Sequence, residues 1–434
     1  MAFLFWILLV LSPSTLFAQD SSKESEIKQK KSPIRLEIKE VPLGSIRFDG
    51  NLYYSISFLS RYFPLSSKEA LFKQKELEQR LRLINEFPDL HVNAILIPGK
   101  EMASSDLVLQ VQDQRPVHLT LEYNNFGARA IGDSKIAVTL TWGDLTGRGD
   151  SVLIRTAYVT PAEIPFSLLQ INYMIPVGLL GAKVNFSYAT SRFIVGQEFT
   201  PLGIDGNSSS REIMVSHPWK RLANRSVDAM IGVTDKRAVS SNVATTTPEL
   251  NEKNQSIFFG ITWNEQWPKH QLTIGGSISQ GFGDHAGKIN LNLRDTLLMT
   301  SRLSLQMRMA SQVSGEQLLV QDQFAMGGID SVRGFTPGEG VGDNGGVVSG
   351  EFRIALDQPG RFLASVFLDQ GFSSLHKAGE GQASHTSLTS AGIGFRATFS
   401  PHLYGRIDLG VPVSSSRNAD NKSTVIYVQG VVQF

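Results

Sequence analysis

From Val117 to the final Phe434, apolar and polar side chains alternate with a period of two. Leu303, Leu305, Met307 and Met309 alternate with Arg302, Ser304, Gln306 and Arg308, and Leu403, Gly405, Ile407, Leu409 and Val411 with His402, Tyr404, Arg406 and Asp408. The same pattern sets Ile289, Leu291 and Leu293 against Asn290, Asn292 and Arg294, and Ala391, Ile393 and Phe395 against Arg396 and Thr398. Period two belongs to the β-strand, whose successive side chains leave opposite faces. Clusters of Gly, Asn, Asp, Ser and Pro separate the segments, as turns do. The length of the region, 318 residues, then limits the architecture. At roughly 20 residues per strand and connection it holds about 16 strands, and a tilted strand needs ~9–11 residues to cross a bilayer. An open sheet of that width leaves unpaired edges, whereas a closed barrel has none. The expected fold is mostly β: a transmembrane antiparallel β-barrel over 117–434, apolar stripe to lipid and polar stripe to the bore. Candidate bore-lining residues are Arg302, Arg308, Arg353, Arg396, Arg406 and Asp408.

Composition agrees. A mean hydropathy of −0.07 is too low for a bundle of membrane helices but not for a barrel, where every second strand residue avoids lipid. Lys and Arg total 41 against 40 Asp and Glu, so bulk charge argues for no nucleic-acid partner. Absence of cysteine removes disulfide frameworks, Cys-zinc sites and thiol nucleophiles. The apolar run Phe3–Leu11 is too short to span a bilayer, and with a cut after Ala18 it reads as a signal peptide, residues 1–18. Residues 19–33 are polar and lysine-rich and read as a flexible lead.

Before the barrel, residues 34–113 read as a small α+β unit in the order β-α-α-β-β. Ile34 to Asp49 alternates as a strand. Ser55 to Phe63 and Lys68 to Glu86 suit helices, the second capped at Ser66 or Ser67. His91 to Ile97 and Leu107 to Val111 follow as strands that would offer an edge for a peptide to extend.

Met326 to Phe335 reads MGGIDSVRGF and opens a tract to Gly350 in which nine of 25 residues are glycine. Such density marks backbone packed into a confined space. Arg333, always charged and held there, calls for an acidic partner. Asp369 is a candidate: it closes an apolar stretch, Phe362 to Leu368, where an unpaired carboxylate would be costly. Phe367, Asp369 and Gly371 share one strand face.

These motifs resemble a known family. Gln323 with Gly327-Gly328 and Val332-Arg333-Gly334-Phe335 is similar to the sixth-loop signature of two-partner secretion transporters of the haemolysin secretion/activation type. These belong to the POTRA-plus-barrel superfamily. Phe367, Asp369 and Gly371 match its strand partner motif, Asp144 to Asp150 (DLTGRGD) its first barrel hairpin, and Asn85-Glu86-Phe87-Pro88 with His91 to Val111 the end of a POTRA domain. The resemblance implies a bacterial outer-membrane translocator with one periplasmic POTRA domain, and a loop at 326–350 folded into the lumen by an Arg333–Asp369 pair. It implies export of an unfolded secreted client captured by the POTRA domain. It further implies contact with outer-membrane lipid, and with barrel-assembly machinery during biogenesis. No cofactor, metal or enzymatic activity is expected. Family members usually carry two POTRA domains and a plug helix, and only one POTRA-like unit is recognisable here. An outer-membrane insertase or assembly factor of the same superfamily is therefore the alternative reading. From another class, a barrel hydrolase using His402 with Asp408 or Ser400 is the rival.

Overall fold

A computed structural model describes residues 43–63, 74–100, 104–160, 166–196, 203–242, 250–358, 360–379, 382–414 and 424–434. The expected signal peptide, the lead, the start of the first strand and the cap at Ser66 or Ser67 lie outside them.

The first unit contains β1 (Leu43–Asp49), α1 (Ile56–Tyr62), α2 (Gln74–Ile84), β2 (Leu90–Pro98) and β3 (Ser105–Asp113). The Ser55 side chain accepts from Phe58 N at 3.2 Å and caps α1. The sheet order is β1-β3-β2, with β3 parallel to β1 and antiparallel to β2. This corrects one expectation. Strand β3, which holds Leu107 to Val111, is paired on both sides and offers no edge; β2 does. Phe58, Leu59, Phe63, Leu77, Ile84, Leu107 and Leu109 form the core between helices and sheet.

Sixteen further strands close into an antiparallel barrel. In chain order they begin with β4 (Val117–Asn124), β5 (Ser134–Gly143), β6 (Ser151–Thr160), β7 (Phe166–Val177), β8 (Ala182–Ile194), β9 (Ile204–Arg221), β10 (Arg225–Asn242) and β11 (Leu250–Trp267). Next come β12 (His270–Gly281), β13 (Lys288–Leu298) and β14 (Leu303–Val313). Two short strands inside a loop, β15 (Phe324–Met326) and β16 (Gly340–Gly342), interrupt the wall. It resumes with β17 (Asn344–Ala355), β18 (Phe362–Ser374), β19 (His385–Ser400), β20 (Leu403–Pro412) and β21 (Val425–Gln433). The seam is β21 on β4, running from Gln429↔Asn124 to Gln433↔Thr120.

The alternation sorts side chains as a membrane barrel requires. Ile213, Val215, Ile231, Val233, Ile257, Phe259 and Ile261 form an exposed apolar band on the outside. Strands β9, β10 and β11 are 18 residues each, longer than the crossing needs, so they project beyond the bilayer. No described helix is long and apolar enough to cross a membrane. Since β4 leaves the α+β unit directly, that unit marks the near end of the barrel. The loops after β4 and β14 lie at the far end.

Two boundaries differ from expectation. The glycine-rich loop does not run to Gly350: it spans 314–343, and residues 344–350 are the first half of β17. Asp369 does not close its strand either, because β18 continues to Ser374, paired with β17 and β19 throughout.

Candidate functional site

The loop between β14 and β17 turns back into the bore as a strap. Its arms pair as β15 and β16, Phe324↔Gly342 to Met326↔Gly340, and carry a tip of tight turns. Within the tip Gly328 N donates to Phe335 O at 2.8 Å, and Gly327 N to Ser331 Oγ at 2.7 Å. Met326, Val332 and Phe335 pack with Val347 and Leu388 of the wall. Gly371 makes room for them: a Cβ there would stand 2.8 Å from both Met326 Sδ and Val332 Cγ2. Gly334 adopts φ +88°, a left-handed conformation that glycine tolerates, and a Cβ on it would meet the Gly410 carbonyl carbon at 3.0 Å.

Arg333, fully buried, projects from this tip into a ring of acceptors. Its Nε and Nη2 donate to the two carboxylate oxygens of Asp369 at 2.7 and 2.9 Å, a bidentate fork, and its backbone N reaches the same carboxylate at 3.2 Å. Nη1 donates to Glu351 Oε2 at 2.7 Å and lies 3.6 Å from Asp408 Oδ2. The guanidinium carbon stands 3.3 Å from the centre of the Phe367 ring, a cation–π contact. Ser349 Oγ donates to Asp369 at 2.6 Å. The Tyr427 hydroxyl accepts from Gly334 N at 3.0 Å and donates to Phe335 O at 3.2 Å.

The network spreads along the wall. Glu351 also pairs with Arg353 at 2.8 Å and Arg396 at 3.0 Å, while Asp408 pairs with Arg396 at 3.0 Å and Arg406 at 2.5 Å. Each buried charge therefore faces an opposite one, the condition for keeping ions out of bulk water. Gly394 leaves space for this cluster, since a Cβ there would lie 2.2 Å from Asp408 Oδ1.

The motif residues accordingly divide. Arg333, Asp369, Phe367 and Gly334 meet in the charged contact, whereas Val332, Phe335 and Gly371 belong to the apolar seat of the strap. Arg353, Arg396, Arg406 and Asp408 join the network. Arg302 lines the bore apart from it, in the near-end turn before β14, whereas Arg308 lines the bore beside it, opposite Ser349 and within the fields of Arg333 and Asp369. The His402 and Asp408 pairing is not formed: His402 Nδ1 lies 3.0 Å from Gln433 O, and the Asp408 carboxylate is taken up by arginines. Sequence reasoning missed Glu351, Ser349 and Tyr427 as partners of the strap. A signal existed for Glu351, which shares its inward face with Arg353 and Ser349.

At the near end the α+β unit seats on the barrel rim. Asp144 accepts from Gly149 N at 2.7 Å and Asp150 from Thr146 N at 2.9 Å, so the turn 144–150 is held by its own carboxylates. Gly149 presses into an aromatic nest, where a Cβ would lie 2.6 Å from Phe87 and 2.8 Å from Phe58. Glu86 pairs with Lys183 and Arg221, both at 3.0 Å, and Asp89 meets His118 at 2.8 Å. Burial, with Glu86 nearby, pushes the Tyr62 phenol up to about 12, so it stays protonated in this seat. Asn85 to His91 thereby line the mouth of a bore cavity of about 1930 Å³.

A closed barrel with an apolar exterior, a charged bore and a loop ion-paired inside it has the build of an outer-membrane barrel protein. The model of the family described as haemolysin secretion/activation protein ShlB/FhaC/HecB matches residues 103–397, more than half of the sequence, and the chain belongs to that family. The heme/hemopexin transporter protein HuxB of Haemophilus influenzae strain 86-028NP is 22% identical over 410 residues, which is 87% of this chain and 71% of that protein. The outer membrane transporter CdiB of Dickeya dadantii is 21% identical over 379 residues, covering 81% of this chain and 66% of that protein. Among solved structures, CdiB from Acinetobacter baumannii superposes with a TM-score of 0.76 at 20% identity, covering 91% of this chain and 74% of that one. BamA from Haemophilus ducreyi lacking POTRA domains 1-3 gives 0.62 at 14% identity, a likeness of fold alone. The family is one of two-partner secretion transporters, not enzymes, and its cargo is a partner protein.

Proposed function

We propose that the chain passes an unfolded partner protein from the periplasm through the bore, and that the strap held by Arg333 and Asp369 is the working part of the channel. The observation that carries this reading is a fully buried bidentate ion pair between a loop tip and the inner wall. A loop needed only to cover the barrel end could be held by apolar contacts. A guanidinium fork instead fixes distance and angle together. The α+β unit, at the periplasmic mouth, acts as a POTRA domain that captures the client. Of its two edge strands, β1 and β2, we assign the added segment to β2, whose first residues, Leu90 and His91, border the bore. The remaining charges, Arg302, Arg308, Arg353, Arg396 and Arg406 with Asp408, keep the passage wet. Client folding outside the cell supplies the drive, and no nucleotide or metal takes part.

Arg333→Ala leaves Asp369 and Glu351 buried without their shared cation, a loss of about 3–5 kcal/mol in comparable buried pairs. Its expected outcome is an assembled barrel with client secretion sharply reduced. Asp369→Ala behaves alike, and the double variant is no worse than either single, since the two act as a unit. A folded Arg333→Ala protein that secretes its client normally overturns the reading. Deletion of residues 34–113 abolishes client binding while the barrel still reaches the outer membrane; retained binding refutes the capture role. The insertase alternative shares the fold alone and predicts general loss of outer-membrane proteins on deletion of this chain.

A further inference from the structure

The strap is tied to the bore at a second place, well before its arginine. A single 3-10 turn, Val320–Asp322, precedes β15, and Asp322 is buried. Its Oδ1 lies 2.8 Å from Lys236 Nζ on β10 and 3.5 Å from Lys288 Nζ on β13. Its Oδ2 accepts from Asn254 Nδ2 on β11. Its backbone carbonyl accepts from Lys288 Nζ at 2.7 Å and from Gln312 Nε2 on β14 at 2.9 Å. Two cations and two amides thus converge from four strands on one residue.

The root of the strap is closed by other means. Asp343 accepts from Leu318 N and from His376 N, each at 2.8 Å, and from Gln323 Nε2 at 3.2 Å. Gln312 Nε2 also donates to Asp343 O at 3.2 Å, but the carboxylate contacts of Asp322 go to the wall and are not what joins the two arms. They attach the strap to the wall of β10 to β14, while Arg333 attaches its tip to β17, β18 and β20. The loop is stretched between two walls by opposite charge patterns, an acid into lysines at one end and an arginine into acids at the other. A loop with one anchor can swing about it; a loop with two spans the bore at a fixed place.

We propose that Asp322 is a second positioning residue for transport, holding the foot of the strap against the β10–β14 wall so that its width across the bore is fixed. This rests on the reading of the strap as the working part of the channel. Lys236 and Lys288 are its wall partners.

The test is single-channel conductance of the full-length protein in planar lipid bilayers, with heat-modifiable gel mobility as the check on barrel assembly. Asp322→Asn removes the charge and keeps the shape. The pair Lys236→Gln with Lys288→Gln removes it from the other side. Each is expected to raise conductance, or its fluctuation between levels, several-fold, while Asp322→Glu returns it toward wild type. Assembled barrels of both kinds with wild-type conductance overturn the proposal. So does failure of both to assemble, which would assign the cluster to barrel formation. The outcome is separable from that of Arg333→Ala, which is read by secretion: normal secretion there with altered conductance here would sink the wider reading and leave the second anchor standing.

Discussion

Two loops fold back into the same bore and are held by opposite forces. The strap, 314–343, is tied by buried ions at Arg333 and Asp322. The first loop, 125–133 after β4, carries Ala128, Ala130 and Ile131 into an apolar cluster with Val159, Phe166, Phe193 and Ala238 on the inner face of β6 to β10. Asn125 ties the start of the loop to β21, donating to Ile426 O at 2.8 Å and accepting from Val428 N at 2.7 Å, and Gly196 N donates to Ala130 O at 2.8 Å; beyond these bonds, what seats the inserted part is shape and exclusion of water. Apolar contact is nondirectional and tolerates small shifts. A guanidinium fork loses its hydrogen bonds when either partner turns. One side of the bore is thus pinned by geometry and the other by surface area, so they should respond differently to the same size of insult.

The largest expected effect separates geometry from charge. Arg333→Lys keeps the cation but cannot form the fork to Asp369 while also reaching Glu351. Secretion should fall nearly as far as in Arg333→Ala, with the barrel still heat-modifiable. Secretion at the wild-type level in the lysine variant would show that charge alone suffices, and the contrast between the loops would weaken.

The strap's side of this contrast was partly readable in the sequence, the first loop's was not, and what was missed has a physical cause. Which face a strand residue takes follows from parity alone, so the inward turn of Arg353, Arg396, Arg406 and Asp408 could be read directly. Which inward residues meet depends on pairing register and barrel closure. Asp322 and Lys236 lie 86 residues apart, and no local pattern joins them. The boundary of the strap was misread because glycine has two uses. Gly345 and Gly346 suggest a loop, yet they sit in β17, where a Cβ would strike Phe324 at 2.3 Å and Phe372 at 2.8 Å. Their smallness makes room within a strand. The end of β18 was misread for another reason: Asp369 breaks an apolar run, yet its charge is paired within the barrel and the strand runs on to Ser374.

A middle-sized effect tests the apolar side. Ile131→Ala empties part of the first loop's seat, where large-to-small changes in packed cores typically cost about 2–5 kcal/mol. Collapse of a loop around the hole should keep the loss at the lower end. Protease cleavage within 125–133 should quicken in the assembled barrel, with secretion largely kept. Secretion lost as fully as in Arg333→Lys would mean that both loops are pinned parts of the channel.

The smallest effect concerns the rim, where ions are again used but water reaches them. Glu86 is over a quarter exposed, as is Lys183. Exposed pairs contribute about 0–1 kcal/mol each because solvent screens them. Glu86→Ala removes the contacts to Lys183 and Arg221, yet Gly149 keeps its place against Phe58 and Phe87. Limited proteolysis between the α+β unit and β4 should accelerate only slightly, and more at low salt, where the wild-type pairs are strongest. Raised salt should bring wild type toward the variant. A large, salt-independent release of the unit would instead mean that the carboxylate holds the seat and the aromatic nest does not.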